Sequence, residues 1–167
     1  MRLLDPAFRE NLLPALRQCG LTTVVLVVCL ALFNVVEHTT LMASLGATAF
    51  ILFTMPHRRS SQARYVIGGY VVGALVGMVF GALYHWIEPT DNLAVADLEA
   101  GVFGGIAVGV SIFLMVITDT EHPPAAAVAL GIVIGPWQPL LAIALILAVT
   151  TLVALRNVLR PRMRDLL

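Results

Sequence analysis

The sequence predicts an all-α integral membrane fold of six elements, and three observations predict it. First, 59% of the 167 residues are hydrophobic and only 12% are charged, against about 45–50% and about 25% in soluble domains. Second, long stretches such as 21–36, 66–83 and 140–155 carry no charge at all, more apolar surface than one water-soluble core of this size could cover. Third, all ten basic residues are arginines, and they cluster at positions that alternate along the chain with acidic, polar breaks.

The elements follow in order. Residues 1–17 read as a cytoplasmic amphipathic segment, with charge and leucine mixed over 5–16. Asp5, Glu10 and two prolines precede the first apolar run, and no small-residue cleavage site follows it, so the run reads as a retained helix rather than a signal peptide. The first span covers about 18–36 and ends at Glu37-His38-Thr39-Thr40. The apolar piece 41–55 is short: at about 1.5 Å per residue it reaches about 22 Å, less than the ~30 Å hydrocarbon core. Pro56 and His57-Arg58-Arg59 close it. A third span, about 65–87, leads into the acidic loop 88–92, and a fourth, about 98–117, leads into Thr118-Asp119-Thr120-Glu121-His122. A second short piece, 125–134, ends at Gly135-Pro136, and the last span is about 140–156. The membrane domain is thus expected over 18–157, with a cytoplasmic basic tail over 158–167.

If both short pieces cross, all ten arginines fall on one side, which the positive-inside tendency makes the cytoplasm, with both termini there. The lengths run long, short, long, and again long, short, long, with opposite starting sides. That is the layout of a 3+3 inverted repeat with two short or broken helices. Non-helical backbone before each short helix is tolerated within a membrane only when buried in protein or lining a wet cavity. The two helix N-termini are expected to converge near the midplane, where their free N–H groups and positive dipole ends would hold a small anion.

On this reading the substrate-binding residues are Ser44, Gly46, Ala47 and Thr48 on the first short helix, and His122, Pro123, Pro124 and Ala125 on the second. The prolines suit a first helical turn. Ionisable groups at a membrane re-entry point are functional candidates, so His122, Glu121 and Asp119 are the proton-coupling candidates. Gly69, Gly73, Gly77 and Gly81, and likewise Gly101, Gly105 and Gly109, form small-residue stripes that let helices pack closely. The stripes leave open association into a homo-oligomer, a dimer or trimer. Asn34, Glu37 and His38 read as solvated interfacial groups, and Tyr65, Tyr84, Trp86 and Trp137 as interfacial aromatics.

Other classes are set aside. No basic-aromatic run suits nucleic acid. No nucleophile elbow, zinc-hydrolase motif or P-loop is present, so no enzyme is expected. Cys19 and Cys29 sit ten residues apart on one helix, about 15 Å, too far to pair. No metal or cofactor is expected.

Three blocks carry a resemblance: Glu121-His122-Pro123-Pro124-Ala125, Ser44-Leu45-Gly46-Ala47-Thr48-Ala49, and Ser61-Gln62-Ala63-Arg64-Tyr65 through Gly69. Together they resemble, in order and spacing over about 18–157, the HPP family of integral membrane proteins. The resemblance implies a transporter, since family members are thought to be transporters and plant plastid members are linked to nitrite uptake. It places Ser44, Gly46, Ala47, Arg64, His122, Pro123 and Pro124 at motif positions. The chain departs from the family pattern at Ala63, Tyr65 and Tyr70, where the family usually has Pro, Asn and His, and after the Pro-Pro pair, where a glycine and a hydroxyl are missing. The expectation is a multi-pass transporter or channel of the bacterial inner membrane for a small inorganic anion, nitrite or nitrate first. The alternative is a non-transporting subunit, a sensory or assembly protein packed through its glycine stripes.

Overall fold

A computed structural model describes residues 8–33, 39–87, 92–136 and 138–166, with only the backbone at 8–11. Six α-helices run in order: α1 (Phe8–Phe33), α2 (Thr39–Thr54), α3 (Ala63–Trp86), α4 (Leu93–Thr118), α5 (Pro123–Ile134) and α6 (Pro139–Leu159). Short 3₁₀ turns follow α2 and α6 at Arg59–Ser61 and Arg160–Arg162. The expectations for Asn34, Glu37, His38, the loop at 88–91 and Trp137 fall outside the described residues.

Four helices are long and apolar enough to cross a membrane, over Leu12–Phe33, Ala63–Trp86, Leu93–Thr118 and Pro139–Arg162. The other two, α2 and α5, are apolar but have only 16 and 12 residues, about 24 and 18 Å at 1.5 Å per residue. Two expected boundaries move. The described part of the amphipathic segment, from Phe8, belongs to α1, which runs on without a break and takes Pro14 into its interior. The proposed break at 157 falls within α6, which runs on to Leu159.

Local chemistry explains the ends. The Asn92 side chain accepts from the Ala94 amide and caps α4. Prolines open α5 and α6, where no intrahelical donor is needed. The Ser61 hydroxyl is shared between the carbonyls of Ile51 and Met55, which also accept from the Met55 and Arg58 amides, and so ties the 3₁₀ turn to the end of α2. The last residue of the α4 turn, Asp119, takes the left-handed conformation at φ 54°, and the Thr120 amide donates back to the Met115 carbonyl at 2.9 Å. Thr22, Thr23, Thr54, Thr150 and Thr151 each return a hydroxyl hydrogen bond to the carbonyl four residues earlier. An apolar surround offers those hydroxyls no other partner.

Helix α5 is the hub. Eight of its twelve residues are buried, and it packs against α2, α3 and α4. The α3 glycine stripe admits it: a Cβ at Gly73 would lie 2.3 Å from the Ala125 carbonyl oxygen, and one at Gly77 would lie 3.0 Å from Ala129 and Ile132. Side chains on that stripe would push the helices apart, so the stripe exchanges volume for backbone contact. The stripe on α4 behaves otherwise. Gly101, Gly105 and Gly109 face open space, with nothing within 4 Å of a built Cβ. The packed face of α4 is Gly104, Ala107, Ser111 and Met115. Within the chain the second stripe therefore packs against no helix: only one side of α4 meets the bundle, and 101, 105 and 109 lie on the other.

Contacts gather the arginines from Arg17 onward at one end. Arg59 and Arg64 bond Asp119, Arg156 donates to the Pro56 carbonyl, and the Leu166 amide donates to the Thr54 carbonyl at 2.7 Å. Gln18 on α1 donates to the carbonyls of Phe53 and Arg164. The start of α1, the ends of α2, α4 and α6, and the starts of α3 and α5 therefore share that end.

Candidate functional site

The buried polar groups of the bundle converge where α5 begins. His122 precedes Pro123-Pro124 in extended backbone, at φ −139° and ψ 95°, the region that a following proline favours. Its side chain is fully buried, against α2 on one side and α3 on another. Gly69 makes the room, since a Cβ there would lie 2.7 Å from the His122 Cβ.

Four side chains form a continuous chain of hydrogen bonds. Ser44 Oγ lies 2.6 Å from the Pro124 carbonyl oxygen and 2.8 Å from the Tyr70 hydroxyl. Thr48 Oγ1 lies 2.9 Å from the Tyr70 hydroxyl and 2.9 Å from His122 Nε2. All four residues are at most 2% exposed. The directions are fixed by counting hydrogens. A carbonyl only accepts, so the Ser44 hydrogen goes to Pro124. Tyr70 must then donate to Ser44, Thr48 to Tyr70, and His122 Nε2–H to Thr48. The other ring nitrogen, Nδ1, is buried and has no partner.

Two cavities share Glu121 as a lining residue, and one of them is also lined by this ring. One of about 230 Å³ is lined by Ile112, Met115, Val116, Glu121, His122, Pro123 and Ala126, and is almost wholly apolar apart from Glu121 and His122. The other, an open vestibule of about 480 Å³, is lined by Met55, Arg58, Arg59, Ser60, Tyr65 and Glu121. Glu121 lines both. At the vestibule the Arg59 guanidinium lies 4.8 Å from the Tyr65 ring centre and pairs with the Asp119 carboxylate, an arrangement that favours the cation twice. Arg64 donates to the carbonyls of Thr118 and Asp119 at 3.2 Å each. It thus caps the C-terminus of α4, where carbonyls lack intrahelical partners.

Of the residues expected at the site, Ser44, Thr48, His122, Pro124 and Ala125 come together and are buried. Pro123 is exposed but lines the apolar cavity. Gly46 is half-buried with open space around it and Ala47 is exposed, so neither lies among the site's hydrogen-bonding groups. Ser44 and Thr48, one turn apart, face α5, and 46 and 47 fall off that face. Glu121 is exposed and lines both cavities. Asp119 is turned away from His122 and engaged by Arg59, Arg64 and Tyr65.

The geometry corrects the expectation of converging helix tips. The first turn of α2 packs on Gly131, through Thr40 and Leu41, whereas the start of α5 packs on Thr48. The eight residues between Thr40 and Thr48 correspond to about 12 Å of overlap: the two N-termini pass side by side and do not face each other. Nor does α5 offer bare donors. Pro123 and Pro124 have no N–H, and the Ala125 amide donates to the His122 carbonyl at 2.8 Å. Only the dipole end remains there; the hydrogen-bonding capacity has moved to side chains.

Tyr70 was not among the expected site residues, yet it joins Ser44 to Thr48 and its ring centre lies 5.9 Å from that of His122. It stands where the resembled family usually has a histidine. A phenol in the apolar interior of a span is itself a signal, because its hydroxyl must find a partner once buried.

A family model described as HPP, transmembrane region, matches residues 8–162. A transmembrane protein of Dictyostelium discoideum is 33% identical over 132 residues, covering 73% of this chain and 43% of that protein. The chain thus spans less than half the length of that relative. No solved structure matches the chain.

Proposed function

This chain belongs to the HPP transmembrane family, and from that footing we propose that, as a multi-pass membrane protein, it carries a small inorganic anion across the bilayer, nitrite or nitrate first. One observation carries the reading: a fully buried histidine with an unpartnered nitrogen, at the dipole-positive end of a short helix, lines an apolar cavity that shares Glu121 with an arginine-bearing vestibule. An unpaired buried polar group is costly, and one kept inside a membrane domain argues for a ligand. The vestibule arginines attract an anion to the mouth, and His122 then meets it within. Ser44, Thr48 and Tyr70 hold the imidazole in place.

An inverted repeat supports alternating access at this site. Exchanging α1 with α4, α2 with α5 and α3 with α6 turns the packing pairs α1–α2, α2–α6 and α1–α6 into α4–α5, α5–α3 and α4–α3, all of which are made. The two short helices would then lie on the symmetry axis, side by side. The arginine-rich end faces the cytoplasm on the positive-inside rule, and in a bacterium the membrane is the inner one.

Reconstitution tests this. Purified protein in liposomes should accelerate nitrate and nitrite entry over protein-free vesicles, and His122→Asn should abolish the gain. If neither ion moves faster than in empty vesicles, and neither binds, the transport reading is wrong. The second reading, a non-transporting membrane subunit, then takes its place. The exposed α4 stripe Gly101, Gly105 and Gly109 favours it, as a surface on which another helix could lie.

A further inference from the structure

The direction of the hydrogen-bond chain has a chemical consequence. Because the Ser44 hydrogen is committed to the Pro124 carbonyl, each donor along Tyr70, Thr48 and His122 is committed in turn. The neutral imidazole is therefore held as the Nε2–H tautomer, and its buried Nδ1 presents a lone pair. A lone pair accepts hydrogen bonds and repels an anion. Only the imidazolium presents an Nδ1–H that an anion can accept.

Building on the transport reading, we propose that His122 binds the anion only after taking a proton at Nδ1, so that each anion crosses with one proton. The step balances simply. Nδ1 takes a proton from water at the open cavity and its lone pair becomes an N–H bond. The anion then accepts from that N–H, and on the far side the anion leaves and the proton returns to water. Charge supports the pairing. The cavity walls from α4 and α5 are Ile112, Met115, Val116, Pro123 and Ala126, which can stabilise neither a lone imidazolium nor a lone anion, whereas the pair has no net charge; the remaining wall, Glu121, has acceptors for a cationic ring and no donor for an anion when ionised. The hydroxyl chain ends on a carbonyl with no proton to pass onward, so the proton enters and leaves by the same nitrogen.

Among the described residues, the groups facing His122 are few. Helix α2 presents Ser44 and Thr48, which do not ionise in this range. Helix α3 presents Tyr70, and α4 presents Met115. From its own segment Glu121 shares the cavity, and Asp119 is paired with Arg59 and Arg64. His122 is thus the titratable group that presents a free ring nitrogen beside the cavity it lines.

Two measurements test the proposal. The first uses proteoliposomes loaded with a fluorescent pH indicator, given nitrate at equal pH on both sides. Nitrate entry should carry one proton inward per ion. It should be at least about tenfold faster at pH 5.5 than at 7.5, the ratio for an imidazole titrating near 6.5; any lower titration point enlarges it. Ser44→Ala frees the chain to reverse, allows a neutral Nδ1–H, and should raise entry at pH 7.5 and flatten the profile. The second is ¹⁵N NMR of histidine-labelled protein, with the His122 signal assigned by its loss in His122→Asn. It should show the neutral ring protonated at Nε2. Nitrate entry that is fast, independent of pH and unaccompanied by protons overturns the coupling and leaves transport standing. A neutral ring protonated at Nδ1 overturns it whatever the flux. Absence of flux at every pH removes the transport reading and the coupling together.

Discussion

A hydroxyl inside the bundle has no water to fall back on. Thr48 accepts from His122 and donates to Tyr70, with no exposure at all. Thr48→Val keeps the shape but strands the Nε2–H and removes the donor to Tyr70. We expect a loss of about 1–3 kcal/mol, the usual cost of an unsatisfied buried group, read as a lower unfolding temperature in detergent. An unchanged midpoint would mean the chain is not formed. Which hydroxyls matter was half legible from the residues. Ser44 and Thr48 stand one turn apart on an apolar helix, which is enough to mark a polar stripe. Their partners lie 22 to 80 positions away in sequence, and spacing within one helix carries no information about those.

At the level of elements, two glycine stripes that read alike do different things. Gly73→Ala sets a Cβ against a backbone oxygen that cannot rotate aside, so it should cost about 1–3 kcal/mol through overpacking. Gly105→Ala meets open space and should be neutral, or stabilising by up to about 1 kcal/mol through helix propensity. Thermal melts of the two variants side by side check the contrast; equal losses would contradict the packing. Period-four glycines say that a helix has a smooth face and nothing about what lies on it. The short helices were likewise legible as short, from the apolar run lengths and the proline breaks. That they pass side by side was not legible, because overlap depends on which residue of one helix meets which of the other. The missing donors could have been foreseen, since a Pro-Pro pair removes two amides from the very turn that the anion argument used.

For the whole molecule, the fold class and the grouping of arginines followed from composition and alternation alone, since a bilayer penalises charge wherever the chain crosses it. The arrangement around α5 did not, because it rests on shape complementarity among helices of nearly uniform apolar character. The common end of the arginines yields a test of sidedness. In a Cys19→Ser, Cys29→Ser background, a single cysteine at Arg160 should resist an impermeant maleimide in right-side-out vesicles and react once they are opened. A cysteine at Ala94, at the other end of the bundle, should react in both. Equal reactivity of the two positions in sealed vesicles would break the alternating arrangement.

The carbonyl of Pro124 closes the row of hydroxyls like a blind alley. A carbonyl has no proton to hand on, so if the chain is the carrier proposed above, this row of hydroxyls gives its empty state no proton path between the two aqueous phases. A cell could hold many copies without short-circuiting its energised membrane, and the ion gradient would be drawn down only when cargo is aboard.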